Sequence, residues 1–483
     1  MKKRDYLDYL EKASAAGRKT YDTQIRQWQD DFDPMFMFGY NSPGIIASQI
    51  HMEGLLFKLT GNKDHARFVR KGLLQVLELS SIFPEKIRLE RVEYKKGVPL
   101  MDPLFQLHAY MNAYLTIKDS GVLDKEDEAK VFQAIDQSVS TLEYSAEWGA
   151  HNRSMLRACA FAQAGAVLGK NPDTLRWEKL AAYLAEESIG RWSIEDTTLY
   201  IALWLFACIM YAKWTGTEEE YYKKPQTKFY FDYITALLTP EGQIPGFGDA
   251  YFHSNWHIWA ACLEKGAAVY RCPAMKAAAH KVFAYGMKTG GGDPSPGVGS
   301  YCVYAYEWGD DSVEPGEIPA VSADLDELVG KKIIFRDEHS YMLYNYRDEG
   351  YHAHIPRRYL RTSIPVKAEK MHHGHGDEGS VIQLEKKGSI LLHDGGYRER
   401  LPNGKYRADL YHNRLVFREG LRDVTRSAYD ALHDEGYYRR VDTDVPACLV
   451  QVTDTRRGPI EVVGEEGHLP VFALDLDDRH DPS

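Results

Sequence analysis

Residues 371–416 read MHHGHGDEGSVIQLEKKGSILLHDGGYRERLPNGKYRADLYHNRLV. Two short segments, 380–384 and 389–393, alternate or run apolar, as strands do, and turn residues bound them. Ahead of them stands His373-Gly-His375-Gly-Asp377, behind them Asp394-Gly-Gly-Tyr397, and after a turn-rich loop His412-Asn413. Side chains two apart on a strand share a face, so neighbouring strands can gather His375, Asp394 and His412. Two imidazoles and a carboxylate are a donor set for zinc or manganese. Taken singly, each residue also fits a His-rich surface loop beside an ordinary Asp-Gly turn. The pattern predicts an antiparallel β region here.

The same stretch resembles the C-terminal domain of the heparinase II/III-like polysaccharide lyases, which include alginate and glycosaminoglycan lyases. Their pattern is His-x-His-x-Asp, a strand pair, Asp-x-Gly-x-Tyr and a His-Asn pair; here the tyrosine comes one residue early, at Tyr397. The resemblance implies that His373 lies in the active site. It makes His375, Asp394 and His412 ligands of one divalent metal, zinc first, with manganese or calcium as alternatives. That ion is structural: it fixes the strand that carries His373. The loop from Asp394 to His412 is short for the family.

Upstream the pattern changes. Segments 48–59, 68–79, 103–117, 124–144, 154–168, 174–187, 199–215, 229–238, 256–270 and 273–286 repeat apolar residues near the helical period. Pro103 and Pro273 stand near helix starts. Paired helices at this spacing suggest a toroid or solenoid, and the resemblance selects an incomplete (α/α) toroid. Residues 289–299, TGGGDPSPGVG, read as a linker that holds neither helix nor strand. Segments 301–308, 331–336, 341–346, 382–384, 390–393, 415–417 and 448–452 read as strands, and 310–326 as an acidic loop. The expected fold is multidomain α and β: an (α/α) toroid over 1–288, a linker over 289–300 and an antiparallel β-sandwich over 301–483. Relatives carry more strands after this point, so the sandwich is either small or truncated.

With 483 residues, 44% of them apolar, the chain has material for two cores. Its net charge of −11 and lack of basic runs exclude a nucleic-acid binder. An average charge still permits a local basic cleft for an anionic polysaccharide or oligosaccharide. The 32 Tyr and 9 Trp offer stacking platforms for sugars, although most serve a core. Six scattered cysteines without C-x-x-C spacing read as buried thiols. No apolar segment follows the basic residues at the start, and the apolar run at 199–212 is broken by Lys213 and reads as a buried helix, not a membrane span. Cytoplasmic location is the expectation, periplasmic or secreted if a leader has been removed. Oligomeric state is not legible.

Further chemistry is expected in the helical part. Trp148-Gly-Ala-His-Asn152-Arg153-Ser154 precedes an apolar helix, which Asn152 or Ser154 would cap. The resemblance gives Asn152 another task, binding the uronate carboxylate, and Arg153 stands where relatives often carry His. Glu195-Asp-Thr-Thr-Leu-Tyr200 resembles the family segment that carries the catalytic tyrosine, although a buried core Tyr is the alternative. Gly242-Gln-Ile-Pro-Gly-Phe-Gly-Asp249 resembles a family loop near the cleft. Arg357, Arg358 and Arg361 form a basic cluster for a second anionic sugar or a solvated strand edge. Trp148 and Trp256 are stacking or core residues.

The resemblance therefore implies a lyase that removes the C5 proton of a uronate and expels the C4 oxygen. Asn152, Arg153 and His373 would steady the charge that develops on the carboxylate. Tyr200 would move the proton, its ordinary pKa of about 10 lowered by a nearby cation. A glycoside hydrolase, with Asp196 and Asp249 as its carboxylate pair, and a non-catalytic glycan-binding protein are the competing readings.

Overall fold

The computed structural model describes residues 2–31, 43–82, 96–144, 149–192, 194–248, 250, 253, 255–289, 294–325, 332–345, 380–394, 413, 417–418, 438–445, 449–454 and 458–463. These form two compact units. One comprises Met1–Arg191, Ala202–Phe231 and His257–Glu317; the other comprises Trp192–Ile201, Asp232–Trp256 and Ile318–Ser483.

The first unit is helical. Its helices include α1 (Lys3–Asp30), α2 (Gly44–Thr60), α3 (Lys63–Leu79), α4 (Leu107–Ile117), α5 (Lys125–Ser140), α6 (Asn152–Leu168) and α7 (Pro172–Glu186). Next come α8 (Thr198–Thr215), whose first turn belongs to the other unit, the short α9 (Glu218–Lys223) and α10 (Pro225–Ala236), whose end does likewise. The last are α11 (Trp256–Tyr270), α12 (Pro273–Thr289) and α13 (Pro296–Trp308). Two layers are visible: α2 packs on α4, α4 on α6 and α13 on α2, while α3, α5, α7 and α1 lie against them. The residue choice explains the layering. Only one stripe of α3 is buried (Ala66, Val69, Leu73, Val76), whereas α2 is buried nearly all round. The last helix, α13, packs back on α1 and α2.

The expectation for 301–308 was wrong: these residues complete α13. Ser295 caps the helix through Val298 N–H and Pro296 occupies its first turn. Gly299, read as a linker glycine, is a packing glycine. A Cβ there would strike Met52 Sδ and stand 3.0 Å from Ala13 Cβ.

Two buried carboxylates of this unit are closely partnered. Glu53 accepts bonds from Ser14, Gln49 and Arg18 at 2.7, 2.9 and 2.6 Å. Glu264 pairs with Lys276 at 2.7 Å and accepts the Tyr6 hydroxyl at 2.9 Å. Cys159, Cys208, Cys262 and Cys302 are buried free thiols as expected; Cys448 lies outside the described residues. Helix α8 is long and apolar enough to cross a membrane, but most of it is buried within the protein.

The second unit is β-rich and antiparallel. Strands β1 (Val321–Asp324), β2 (Lys332–Arg336), β3 (Ser340–Asn345), β4 (Ser380–Lys386) and β5 (Ser389–His393) form one sheet in sequence order. A second sheet runs β6 (Phe417–Arg418), β7 (Tyr438–Val445), β8 (Leu449–Asp454) and β9 (Gly458–Val463). Strand β1 lies inside the stretch read as an acidic loop. Arg336 of β2 turns inward. Its guanidinium donates to the carbonyls of Thr235, Ala236 and Leu238 at 3.0, 2.9 and 2.9 Å and to that of Pro319 at 2.9 Å. It thereby closes the C-terminus of α10, where carbonyls lack helical partners.

Candidate active site

Tyr200 is the third residue of α8 and is half-buried. The segment before it is fixed by the loop 242–248. Thr198 N–H donates to Phe247 O at 3.1 Å, Phe247 N–H donates to Thr198 Oγ1 at 2.9 Å, and that hydroxyl donates to Pro245 O at 2.5 Å. Asn255 Nδ2 holds the Leu199 carbonyl at 2.7 Å. Gly248 has φ +61°, and a Cβ there would lie 2.8 Å from Thr197 Cγ2. The two motifs found in the sequence are thus one structure.

Asp196 does not present a carboxylate. It is buried, accepts Tyr233 OH at 2.9 Å and is ion-paired to Lys332 of β2, whose ammonium also lies 4.2 Å from the Phe247 ring centroid. Desolvating such a pair is expensive, and it persists because each charge has its partner. Asp249 lies outside the described residues.

Two residues absent from the sequence reading stand beside this loop. His253 and Asn255 both have φ +52°, a conformation that costs a non-glycine residue about 1–3 kcal/mol. His253 is buried, and its Nδ1 accepts Ile244 N–H at 3.1 Å, which puts the proton of the neutral ring on Nε2. Its ring stacks on Trp256, at 6.4 Å between centroids and 13°. Trp256 itself is half-buried at the start of α11. Turn residues have no periodicity, so only the Asn255 side chain hinted at a positive φ.

In the helical unit Asn152 is the first residue of α6 and is buried. Neither Asn152 nor Ser154 caps the helix, against expectation. His151 is the capping residue, its Nδ1 accepting Ser154 N–H at 3.4 Å. The reason is its extended backbone, φ −139° and ψ 164°, which turns the ring back over the first turn. Half-buried Arg153 is followed one turn later by buried Arg157, which donates to Leu142 O at 2.9 Å. Burial, and then Arg153, lower the Arg157 pKa to about 10. A chain of net charge −11 therefore has a local positive field at this helix start, strengthened by the helix dipole. Arg157 was missed because it falls within the helical pattern.

Asp394 is buried at the end of β5, and its N–H donates to Ile382 O of β4 at 2.8 Å. Val381, the neighbour of Ile382, donates its N–H to Asn413 O at 3.0 Å, and its carbonyl accepts Asn413 Nδ2 at 3.2 Å. The chain at 394 and at 413 thus meets at one end of β4. Trp148, Arg357, Arg358, Arg361, His373, His375 and His412 lie outside the described residues. Among the described residues no cluster of His, Cys, Asp and Glu is arranged to hold a metal.

No family model and no curated protein sequence matches the chain. Among solved structures, heparan sulfate lyase HepC from Pedobacter heparinus is similar over 92% of this chain and 66% of its own, with 13% identity and a TM-score of 0.46. A glycosyl hydrolase family 88 protein from Bacteroides vulgatus is similar over 64% of this chain and 99% of its own, with 14% identity and a TM-score of 0.38. This chain spans 66% of the lyase's length. One neighbour is a lyase and the other a hydrolase, so the likeness does not choose a reaction.

Proposed function

We propose that the chain is a glycan-active enzyme, an eliminative lyase on a uronic-acid polysaccharide or oligosaccharide. One observation carries the choice: residues 195–200 present a half-buried phenol at Tyr200, while Asp196 is consumed by Lys332 and Tyr233. Elimination needs a proton shuttle; hydrolysis needs a pair of available carboxyl groups.

In this reading Tyr200 takes the C5 proton. The C–H electron pair becomes the C4=C5 double bond, the C4–O bond breaks, and the leaving oxygen takes back from Tyr200 the proton it removed. Asn152 and Arg153 receive the substrate carboxylate, whose charge builds up in the transition state, and the field of Arg157 reinforces them. The resemblance further gives His373 a catalytic role, and in this reading Trp256 and Trp148 are sugar platforms and Arg361 meets a further anionic group.

A divalent ion, zinc first, is proposed for His375, Asp394 and His412. Burial of the Asp394 carboxyl and the meeting of residues 394 and 413 at β4 suit such a site. When bound, the ion supplies a cross-link that fixes the loops, and its binding energy adds to folding. His375→Ala should lose metal and lower the melting temperature, whereas His373→Ala should keep both. Elemental analysis and melting curves decide this, and equal metal loss would make His373 a ligand.

The function is tested by incubation with alginate, heparan sulfate, chondroitin, hyaluronate and ulvan. Ultraviolet absorbance from an unsaturated uronate is the expected result. New reducing ends without absorbance would instead indicate a hydrolase, and neither signal a binding protein.

A further inference from the structure

The helical unit contains a cavity of about 310 Å³ lined by residues of α4, α11 and α13 and not by Asn152. His108, His257, Tyr301, Phe105, Gln106 and Ser300 are among its lining residues. At the lower end of the range for small-molecule sites, ~300–1,000 Å³, it takes one ring and not a chain.

Its chemistry is specific. Tyr304 OH accepts a bond from Asn112 Nδ2 at 2.8 Å and lies 2.6 Å from His108 Nδ1. His108 Nε2 is buried and has no hydrogen-bond partner among the described residues, a costly state that a ligand hydroxyl, as donor or acceptor, would relieve. His108 itself is 5% exposed. The Tyr301 ring stands 5.0 Å from that of His257 and 5.9 Å from that of His108, giving a wall of π faces.

An anion is poorly matched. Among the described residues no Lys, Arg, Asp or Glu lines the cavity. At the start of α4 the Leu107 N–H goes to Asp102 O at 2.9 Å, and in the turn before it Leu104 and Phe105 donate to Asp102 Oδ1 at 2.8 and 3.2 Å. At α13, Ser295 takes Val298 N–H.

We propose that this cavity is a subsite for one uncharged, hydroxylated sugar ring. That the ring is a sugar rests on the glycan reading above; that it is uncharged rests on the cavity. Hydroxyl groups, which both donate and accept, would bond His108 Nε2 and Gln106, while the apolar ring face lies on Tyr301.

The test uses the whole protein, with D-glucose and D-glucuronate as probes, which differ only at C6. Saturation-transfer NMR and calorimetry should show saturable glucose binding and glucuronate binding about tenfold weaker or worse. His108→Asn keeps an acceptor for Tyr304 and removes Nε2. Gly297→Leu crowds the mouth at a position where a Cβ meets nothing within 4 Å. Each should weaken glucose binding about tenfold, Gly297→Leu with melting unchanged. Glucuronate binding as tight as glucose, no glucose binding, or variants that melt normally and bind normally would each overturn the proposal. Binding is read without turnover. A protein that binds glucose here but forms no unsaturated uronate loses the lyase reading and keeps the subsite.

Discussion

Around Tyr200 every tie has a main-chain group at one end; around the cavity side chains bond to one another. In the first region the Thr198 and Phe247 N–H groups and the Phe247, Pro245 and Leu199 carbonyls are held, with the Thr198 hydroxyl and the Asn255 amide as the side-chain ends, and His253 and Asn255 keep strained dihedrals. In the second, Asn112, Tyr304 and His108 bond through their side chains, as do His51 and Ser300 at 2.9 Å. The difference teaches where tolerance lies. A backbone frame survives the loss of the group it displays, whereas a side-chain network is altered by the loss of any member.

The largest effect should therefore be catalytic and leave the frame intact. Tyr200→Phe keeps the ring and should lower kcat by about 10²–10⁴-fold, with little change in melting temperature. Near-normal turnover would remove Tyr200 from the mechanism. Next, Lys332→Met strands Asp196 in the interior and should cost about 3–5 kcal/mol by denaturant titration. A cost near zero would mean that the pair does not hold the Tyr200 segment.

On the side-chain side, burial pushes the Asp102 carboxyl up to about 7, against two N–H bonds that favour its anion. Between its unfolded pKa near ~3.9 and about 7, the native state holds a proton that the unfolded chain has released, so this group's stabilising contribution declines as pH rises. Asp102→Asn, which keeps the acceptor, should match wild type near pH 4. It should gain up to roughly 3–4 kcal/mol on it by pH 8. A constant offset across pH would refute this. The smallest effect sharpens the backbone side. Gly248→Ala adds a Cβ at φ +61° against Thr197 and should cost about 1–3 kcal/mol, lowering kcat with it.

Much of this was legible, and the exceptions have causes. Helical periodicity announced α2 to α8, because an inner layer buries whole helices and an outer layer buries stripes. α13 was misread because residues 301–308, YCVYAYEW, are rich in aromatics and include Val303, types that strands favour, and its glycines suggested a linker. The Ser295-Pro296 start signal was present in the sequence. The motifs at 195–200 and 242–249 were legible separately, but their joining was not, because it rests on hydrogen bonds between residues nearly fifty apart. The cavity was not legible, because His108, His257 and Tyr301 come from three helices far apart in sequence and no local pattern links them.

Arg336 has a consequence for hydrogen exchange. One guanidinium serves carbonyls at 235, 236, 238 and 319, so releasing the end of α10 strands several acceptors at once. That helix end leads directly into the turn where Gln243 N–H bonds Thr239 Oγ1 at 3.0 Å, and then into the loop that fixes Thr198. Amides from Leu237 to Phe247 should therefore exchange through a cooperative opening and not through fraying of the helix end.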